Sequence, residues 1–270
     1  MPAPDKADLD LITQAAQGAG EIARRYFGGT YRQWDKGKGE PVTEADLAVD
    51  RYLREMLTAA RSEYGWLSEE SNDNVERLTK EKTFVVDPID GTIAFLKGKP
   101  HFTISIAIVA EGRPVAAVVF NPITEECFSA SKGHGAMLNG ASIHASTRES
   151  IEGCRMLSAK SLFEHPGWFK PPNHPWPPME IEQRNSIAYR LALVGSGQFD
   201  AMLALSSKHD WDAAAGDLIV HEAGGRVTDH LGALLRYNRA QTIQRSMLGA
   251  GARLHALLLE QLQYVKLPER

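Results

Sequence analysis

The sequence feature that most constrains the fold is an alternation of large and small side chains in the middle of the chain. Residues 101–109 read HFTISIAIV, with Phe or Ile at every second position from Phe102 to Ile108 and Thr, Ser or Ala between them. This period of two indicates a β-strand with one bulky face and one small face. Short turns, EGRP and NPITE, lead into two further strand-like runs, VAAVVF and ECFSA. Because such links join antiparallel neighbours, this region predicts an antiparallel sheet.

Helical patterns precede this sheet. Apolar residues recur at helical spacing across residues 8–27, and Gly28-Gly29 predicts the end of that first helix. The stretch WDKGKGEPV, rich in Lys and Gly, predicts a loop. Thr43 is expected to begin a second helix.

After about residue 150, shorter strands alternate with helices. The patterns predict a strand at FDAML (199–203) and three helices, at Ile187–Val194, Ala213–Glu222 and Leu254–Leu262. The segment 165–178 is rich in proline and aromatic residues. It cannot be a helix interior or a central strand, because prolines lack the N–H donor. A surface loop, a lid and a dimer contact are the interpretations that remain open for it.

These patterns predict an α/β (α+β) protein of two lobes. Residues 1–150 would form an N-terminal lobe with two helices and the larger antiparallel sheet, and residues 151–270 a C-terminal α/β lobe. A chain of 270 residues is long enough to bury a substantial core. We expect a single functional unit with its site between the lobes.

Charge and composition exclude several kinds of partner. The net charge is −4, so no basic field attracts a nucleic acid polymer or an anionic membrane. No run approaches the length of a membrane span, and the opening MPAPDKADLD lacks the apolar centre of a signal peptide. Cys127 and Cys154 have no paired spacing, which suggests a reducing compartment. The sequence therefore predicts a cytoplasmic protein.

Two aspartates at the end of an apolar run carry the strongest chemical signal. In VVDPIDGT, Pro88 keeps Asp87 extended at the strand end, and Gly91 allows a turn before a helix that begins near Thr92. Asp87 and Asp90 can then direct their oxygens into one volume, where a hard cation such as Mg²⁺ relieves their repulsion. The N–H groups of Gly91 and Thr92 offer an anion site beside it. A helix N-cap in an aspartate-rich turn is the alternative.

Acidic residues at three other places in the sequence strengthen this interpretation. Glu69-Glu70 follow a strand-like run, although a solvated loop also explains them. Asp210 and Asp212 precede a predicted helix, where capping is a sufficient reason for an aspartate. Asp46 lies three residues after Thr43 as in a capping box, yet it shares the buried face of its helix and needs a partner there.

Other site types are excluded by spacing. The nine histidines show no H-x-x-H or H-E-x-x-H pattern, so a zinc site is not expected. DKGKGEP does not match the P-loop pattern G-x-x-x-x-G-K-[ST]. Lys36 and Lys38 in that stretch either attract an anionic substrate or are simply solvated.

In combination, four motifs resemble the inositol monophosphatase family, the Mg²⁺-dependent, lithium-sensitive phosphatases related to fructose-1,6-bisphosphatase. They are SEES (68–71), DPIDGT (87–92), NGASIHAS (139–146) and WDAAAGDLIVHEAGG (211–225). The resemblance implies a layered αβαβα sandwich, a homodimer, two or three bound Mg²⁺ ions and a small phosphate ester as substrate.

The resemblance also assigns roles to individual residues. The implied metal ligands are Glu69, Asp87, the carbonyl of Ile89, Asp90 and Asp212. The implied catalytic residues are Thr92 and Asp46, which orient the attacking water, together with Glu69. The implied substrate-binding residues are Gly91, Thr92, Asp90 and Asp212. Further candidates around the site are Glu70, Lys36, Arg184 and Lys208.

The sequence leaves two phosphate esters as candidates for the substrate. Inositol-specific members of the family carry a glutamate seven residues before the aspartate of the WD motif, and Leu205 occupies that position here. A leucine cannot accept bonds from sugar hydroxyls. Inositol 1-phosphate therefore competes with 3′-phosphoadenosine 5′-phosphate, whose extra charge would suit the cations Lys97, Lys99, Arg184, Arg190 and Lys208. A non-catalytic regulatory binding protein on the same fold is the alternative of another class.

Overall fold

A computed structural model describes residues 6–37 and 41–267 of the chain. Within those ranges, no helix combines the length and apolar character needed to cross a bilayer. The first half contains α1 (Lys6–Tyr26), β1 (Gln33–Asp35), β2 (Pro41–Thr43), α2 (Glu44–Ala60), β3 (Gly65–Ser68), β4 (Lys82–Asp90), α3 (Thr92–Leu96), β5 (Thr103–Ala110), β6 (Arg113–Asn121), β7 (Glu126–Ser131), β8 (Ala136–Leu138) and β9 (Ala141–Ile143).

The second half is built from shorter strands. It contains β10 (Arg155–Leu157), α4 (Lys160–Phe163), β11 (Glu180–Glu182), α5 (Ile187–Gly195), β12 (Ala201–Ala204), β13 (Lys208–His209), α6 (Asp210–Glu222), β14 (Gly225–Thr228), β15 (Ile243–Gln244), β16 (Met247–Gly251) and α7 (Ala252–Leu262). Two 3₁₀ helices lie at Val75–Thr79 and Pro166–Phe169.

Two large sheets organise the molecule. A seven-stranded sheet runs from β3 to β9 in chain order, and a five-stranded sheet has the order β11-β10-β12-β16-β14. Every neighbouring pair in the larger sheet is antiparallel except β3 and β4, which are parallel. The parallel pair places the ends of β3 and β4 at the same edge of the sheet. The acidic residues that follow β3 therefore lie beside those that end β4.

Three helix layers alternate with the two sheets. Helices α1 and α2 cover one face of the larger sheet, where Ile12 and Leu53 pack with the bulky side chains of β5. Helices α5 and α6 fill the space between the sheets, and α7 covers the outer face of the smaller sheet. This is the layered αβαβα sandwich that the sequence predicted.

The predicted small face of β5 has a structural reason. It faces α6, and the Ser105 hydroxyl donates a hydrogen bond to the Trp211 carbonyl at 3.2 Å. Ala107 lies in the same cluster as the apolar side chains of α5 and α6. Close helix packing continues at Gly216, where a Cβ would lie 2.4 Å from Cβ of Leu191. Small residues thus bring α6, and the acid at its start, down onto the sheet.

Several local expectations need correction. The predicted loop of WDKGKGEPV contains β1 and β2, which pair as an antiparallel hairpin; Lys38 lies outside the described residues. Asp210 and Asp212 do not precede α6 but form its first turn. The segment 165–178 begins with a 3₁₀ turn in which Pro166 takes the first position, where a missing N–H costs nothing.

The two tryptophans of that segment are packed, whereas Phe169 is 63% exposed. Trp168 is buried, and its ring lies edge-on to Trp176 with 5.2 Å between centroids. Trp176 packs in the same way on Phe163, at 5.0 Å. The packing of both tryptophans in one cluster with the smaller sheet and α7 explains why they occur in this segment.

Candidate active site

A bulge at the end of β4 brings two aspartates to one edge of the sheet. The pairing of β4 with β5 shifts register between Asp87 and Asp90, where Pro88 interrupts the ladder. Gly91 then adopts φ of 99°, a left-handed conformation, and a Cβ there would lie 3.0 Å from the His101 carbonyl oxygen. The turn therefore requires glycine, and the helix that follows starts at Thr92, as the sequence predicted.

The first turn of α6 supplies the third acid. The Asp212 carboxylate accepts a hydrogen bond from the His209 N–H at 2.7 Å, which fixes it at the helix start. Carboxylate oxygens of Asp87, Asp90 and Asp212 lie within 4.8 Å of one another. Acidic positions separated by more than 120 residues thus form one cluster.

Thr92 and Asp46 are in contact, as the resemblance implied. The Thr92 hydroxyl lies 3.2 Å from Oδ1 of Asp46 and 3.2 Å from the Ile89 carbonyl oxygen. The other carboxylate oxygen, Oδ2, accepts from the Thr43 N–H at 2.8 Å and from its hydroxyl at 2.5 Å. Asp46 therefore closes the capping box of α2 with one oxygen and contacts Thr92 with the other, so its role as a cap does not prevent the contact with Thr92.

The glutamates after β3 are bridged by a lysine. Lys36 Nζ lies 3.2 Å from Glu69 and 2.5 Å from Glu70. The Glu70 side chain is nearly buried, whereas that of Glu69 is 28% exposed. Glu69 lies outside the three-aspartate cluster, but its charge raises the pKa of Asp87. Lys36 thus balances the acids at the border of the site.

Burial dominates the electrostatics of the cluster. It raises the pKa of Asp87 and of Asp212 well above the ordinary value, and the neighbouring acids raise each further. Burial also raises the pKa of Asp90 to about 6, against the lowering effect of hydrogen bonds from the start of α5. For Asp46, burial raises the pKa to about 6 although Thr43 donates to it. Ionised carboxylates so close together destabilise the site unless a cation joins them.

The donor set fits a hard divalent cation. Asp87, Asp90 and Asp212 offer only oxygen atoms, and the carbonyl of Ile89 lies on the same turn. Carboxylate and carbonyl oxygens are the ligands that Mg²⁺ takes in proteins. These four residues, with Glu69 at the border, would hold such ions.

The hydrogen bonds that hold the Asp90 carboxylate were not predictable from the sequence. That carboxylate accepts from the Ser186 hydroxyl at 2.7 Å, from the Ala188 N–H at 2.6 Å and from the Ile187 N–H at 3.2 Å. All three donors belong to the start of α5. Ser186 is recognisable as an N-cap, because it precedes a predicted helix and accepts from the Tyr189 N–H. Its bond to a residue 96 positions away is not readable from sequence.

A cavity of about 700 Å³ adjoins the acid cluster. Ile187, whose N–H bonds to Asp90, is part of its wall, and so is Leu205, the position at which inositol-specific relatives would carry glutamate. Its other walls come from residues 158–173 and from residues 264–267 after α7. The Pro-rich segment 165–178 therefore helps to form a wall of the cavity.

The predicted cations occupy different surroundings. Lys208 and Arg190 line the cavity. Arg184 pairs with Glu182 at 2.5 Å and lies over the rings of Tyr189 and Phe199, so its guanidinium is engaged outside the cavity wall.

The fold and the site together define a class: a layered α/β sandwich with a buried three-carboxylate cluster at the edge of its larger sheet. The sequence profile described as the inositol monophosphatase family matches residues 6–266. The chain belongs to the inositol monophosphatase family.

Known relatives agree with this assignment. The inositol-1-monophosphatase of Caulobacter vibrioides is 34% identical over 266 residues, which cover 94% of this chain and 99% of the relative. Nus factor SuhB of Escherichia coli K12 is 31% identical over 237 residues, 83% of this chain and 85% of that protein. The crystal structure of the extragenic suppressor protein suhB of Bartonella henselae superposes with a TM-score of 0.82 at 29% identity, covering 97% of this chain and all of that one.

Proposed function

We propose that this protein is a Mg²⁺-dependent phosphomonoesterase that hydrolyses a small phosphate ester to its alcohol and inorganic phosphate. The observation that carries the proposal is the convergence of Asp87, Asp90 and Asp212 beside the Thr92–Asp46 pair and an open cavity. Bound Mg²⁺ would neutralise the phosphate and make water a stronger nucleophile. Inhibition by lithium and a homodimeric state stay predictions from the family resemblance.

Residues of this chain would have separate catalytic and binding roles around the bound ester. The Thr92 hydroxyl can accept a hydrogen bond from the attacking water while it donates to Asp46. The pKa of Asp46, raised by burial to about 6, leaves it largely ionised at neutral pH and able to take up a proton. The N–H groups of Gly91 and Thr92 would donate to phosphate oxygens. Water attacks phosphorus directly, so no enzyme nucleophile is needed.

Two substrates remain candidates. The relative from Caulobacter vibrioides is named for inositol 1-monophosphate hydrolysis, which supports that ester. Leu205 in the cavity wall provides no acceptor for inositol hydroxyls, which supports the alternative, a 3′(2′),5′-bisphosphate nucleotidase acting on 3′-phosphoadenosine 5′-phosphate.

Release of inorganic phosphate tests the proposal directly. The assay uses p-nitrophenyl phosphate, inositol 1-phosphate and 3′-phosphoadenosine 5′-phosphate, each with Mg²⁺ and with EDTA. We expect release that requires Mg²⁺ from at least one ester. Absence of release from all three at saturating Mg²⁺ would contradict the phosphatase and favour the regulatory binding protein. The name Nus factor carried by one relative is the observation that keeps this second candidate in view.

Replacing Thr92 by valine is expected to lower kcat about a hundredfold with little change in KM, because it removes the hydroxyl that orients water. The shape of the side chain is retained, so metal binding measured by calorimetry should persist. Thr92→Ser is the matched control and should recover most of kcat. An unchanged kcat in the valine variant would show that Thr92 has no part in the reaction.

Introducing a carboxylate at position 205, where Leu205 offers no hydrogen-bond acceptor, should alter substrate specificity. Leu205→Glu is expected to raise kcat/KM for inositol 1-phosphate about tenfold, the size of one charge-assisted hydrogen bond. Leu205→Met, which offers no carboxylate, serves as the control and should leave that value near wild type. Equal values in the two variants would remove Leu205 from the determinants of specificity.

A further inference from the structure

Helix α2 carries two buried aspartates one turn apart. Asp46 contacts Thr92 beside the acid cluster, and Asp50 follows four residues later on the same helix. Because positions i and i+4 of an α-helix are neighbours on one face, the two carboxylates leave α2 on the same side. Asp50 is only 8% exposed and lies outside the three-aspartate cluster. A buried carboxylate in such a place needs hydrogen-bond donors.

Two serine hydroxyls supply those donors. The Ser68 hydroxyl lies 2.5 Å from Oδ1 of Asp50, and the Ser71 hydroxyl lies 2.8 Å from its Oδ2. These serines are the first and last residues of the SEES motif, so they enclose Glu69 and Glu70 in the chain. A single carboxylate therefore binds both ends of the turn that carries the two glutamates.

Each serine hydroxyl also accepts a hydrogen bond from a nearby N–H group. The Ser68 hydroxyl accepts from the Glu70 N–H at 3.4 Å, and the Ser71 hydroxyl accepts from the ring N–H of Trp66 at 3.3 Å. Each hydroxyl thus donates its own proton to Asp50. Position 50 must therefore accept at two oxygens, which a carboxylate does and a side-chain amide cannot.

Glu69 itself is directed toward the acid cluster. Its N–H donates to the carbonyl of Val86 at 3.2 Å, and Val86 directly precedes Asp87 on β4. Burial raises the pKa of Asp87 and of Asp46, and the negative charge of Glu69 raises both further, so its carboxylate lies near both acids. The direction of Glu69 thus depends on a backbone bond to β4 and on the serine bonds to Asp50.

We propose that Asp50 is a positioning residue, which holds the turn 68–71 so that Glu69 keeps its carboxylate toward a bound Mg²⁺ ion. Helix α2 then fixes two parts of the site together, because Asp46 contacts Thr92 while Asp50 orients Glu69. This inference rests on the proposed function, in which Glu69 is a ligand of Mg²⁺. It adds a residue that acts through Glu69 and contacts neither the ion nor the substrate.

Asp50→Asn tests this role with little change in side-chain volume. The amide can accept only one of the two serine protons, so the turn loses a hydrogen bond. We expect the Kd for Mg²⁺, measured by calorimetry on the metal-free protein without substrate, to rise about tenfold. The Mg²⁺ concentration for half-maximal hydrolysis of p-nitrophenyl phosphate should rise by the same factor, while kcat at saturating Mg²⁺ stays within about threefold of wild type.

A double-mutant cycle with Glu69→Gln shows whether Asp50 acts through Glu69. Glu69→Gln should raise the Kd for Mg²⁺ by at least as much, and the addition of Asp50→Asn should then have no further effect. Asp200→Asn is the matched control, because Asp200 is a buried acid that also accepts from a serine hydroxyl at 2.5 Å. It should leave the Kd for Mg²⁺ unchanged in both backgrounds.

Ser71→Ala provides a milder variant in case Asp50→Asn lowers the stability of the fold. It removes one of the two donors at a half-buried position and leaves Asp50 in place. The Kd for Mg²⁺ should rise about threefold, the size of one hydrogen bond. Thermal unfolding of each variant without metal establishes that it is folded.

The outcomes separate the two proposals. An unchanged Kd in both Asp50→Asn and Ser71→Ala, or an equal rise with and without Glu69→Gln, would overturn the positioning role of Asp50. Hydrolysis of p-nitrophenyl phosphate with Mg²⁺ by the wild type would still uphold the phosphatase in that case. A Kd that Asp50→Asn raises only while Glu69 is present supports the positioning role even if no ester is hydrolysed, because calorimetry needs no substrate.

Discussion

Asp87→Asn is expected to lower Mg²⁺-dependent kcat/KM by about a thousandfold, because a bound metal ion contributes several kcal/mol to stabilisation of the transition state. Asparagine keeps an oxygen that can accept from the Ile89 N–H, the bond that Asp87 makes at 3.1 Å. The folded structure should therefore persist while a charged ligand is lost. Initial rates over a range of Mg²⁺ concentrations measure the effect.

Asp200→Asn is the control that separates the loss of a metal ligand from the loss of a buried carboxylate. Asp200 is also a buried acid, and it accepts from the Ser146 hydroxyl and from the Arg155 N–H of the smaller sheet. We expect that variant to unfold more easily while it retains turnover. Activity of Asp87→Asn within tenfold of wild type at saturating Mg²⁺ would refute the assignment of Asp87 as a metal ligand.

The metal-free protein is expected to lose stability as pH rises from about 5 to 8. Burial raises the pKa of Asp90 to about 6 and raises that of Asp87 well above the ordinary value of 3.8. The folded state therefore binds protons more tightly than the unfolded state, so this contribution is complete below pH 4 and is lost as pH passes the folded pKa. The part of this loss that comes from Asp90, on the order of a few kcal/mol in the free energy of unfolding, falls between about pH 4 and pH 6, and the part above pH 6 comes from Asp87 and its neighbours.

Urea denaturation in EDTA at several pH values measures this slope, and the same series in excess Mg²⁺ is the comparison. Mg²⁺ should flatten the slope, because it binds the folded, ionised site. Asp87→Asn should flatten it in EDTA, because one of the repelling charges is gone. Equal stability of the metal-free wild type at pH 5 and pH 8 would argue against a strained acid cluster.

Much of the site was predictable because its parts are local. Pro88 and Gly91 determine the bulge and the left-handed turn that join Asp87 to Asp90, and each acts on its immediate neighbours. The period of residues 102–108 likewise predicted a strand with one bulky and one small face, but not which helices each face would contact. The convergence of Asp212 with these acids is a long-range property, and only the family resemblance indicated it.

What escaped prediction depends on contacts across the fold. The support of Asp90 by Ser186 joins residues far apart in the chain. The Lys- and Gly-rich stretch 34–42 has no apolar period and so predicts a loop, whereas β1 and β2 pair there as a hairpin. The separate environments of Arg184 and Arg190, six residues apart, depend on which partners the folded chain supplies. No pattern in a single sequence contains that information.

The position of α5 has a consequence for redesign. Its first residues hold the Asp90 carboxylate through hydrogen bonds, and Arg190, one turn later, faces the cavity. A substitution on this helix that reshapes the pocket would thus also disturb the chemistry. Leu205, by contrast, belongs to the chain between β12 and β13, away from those bonds. New substrates should accordingly be sought by varying the Leu205 side of the pocket, with α5 kept as an invariant framework.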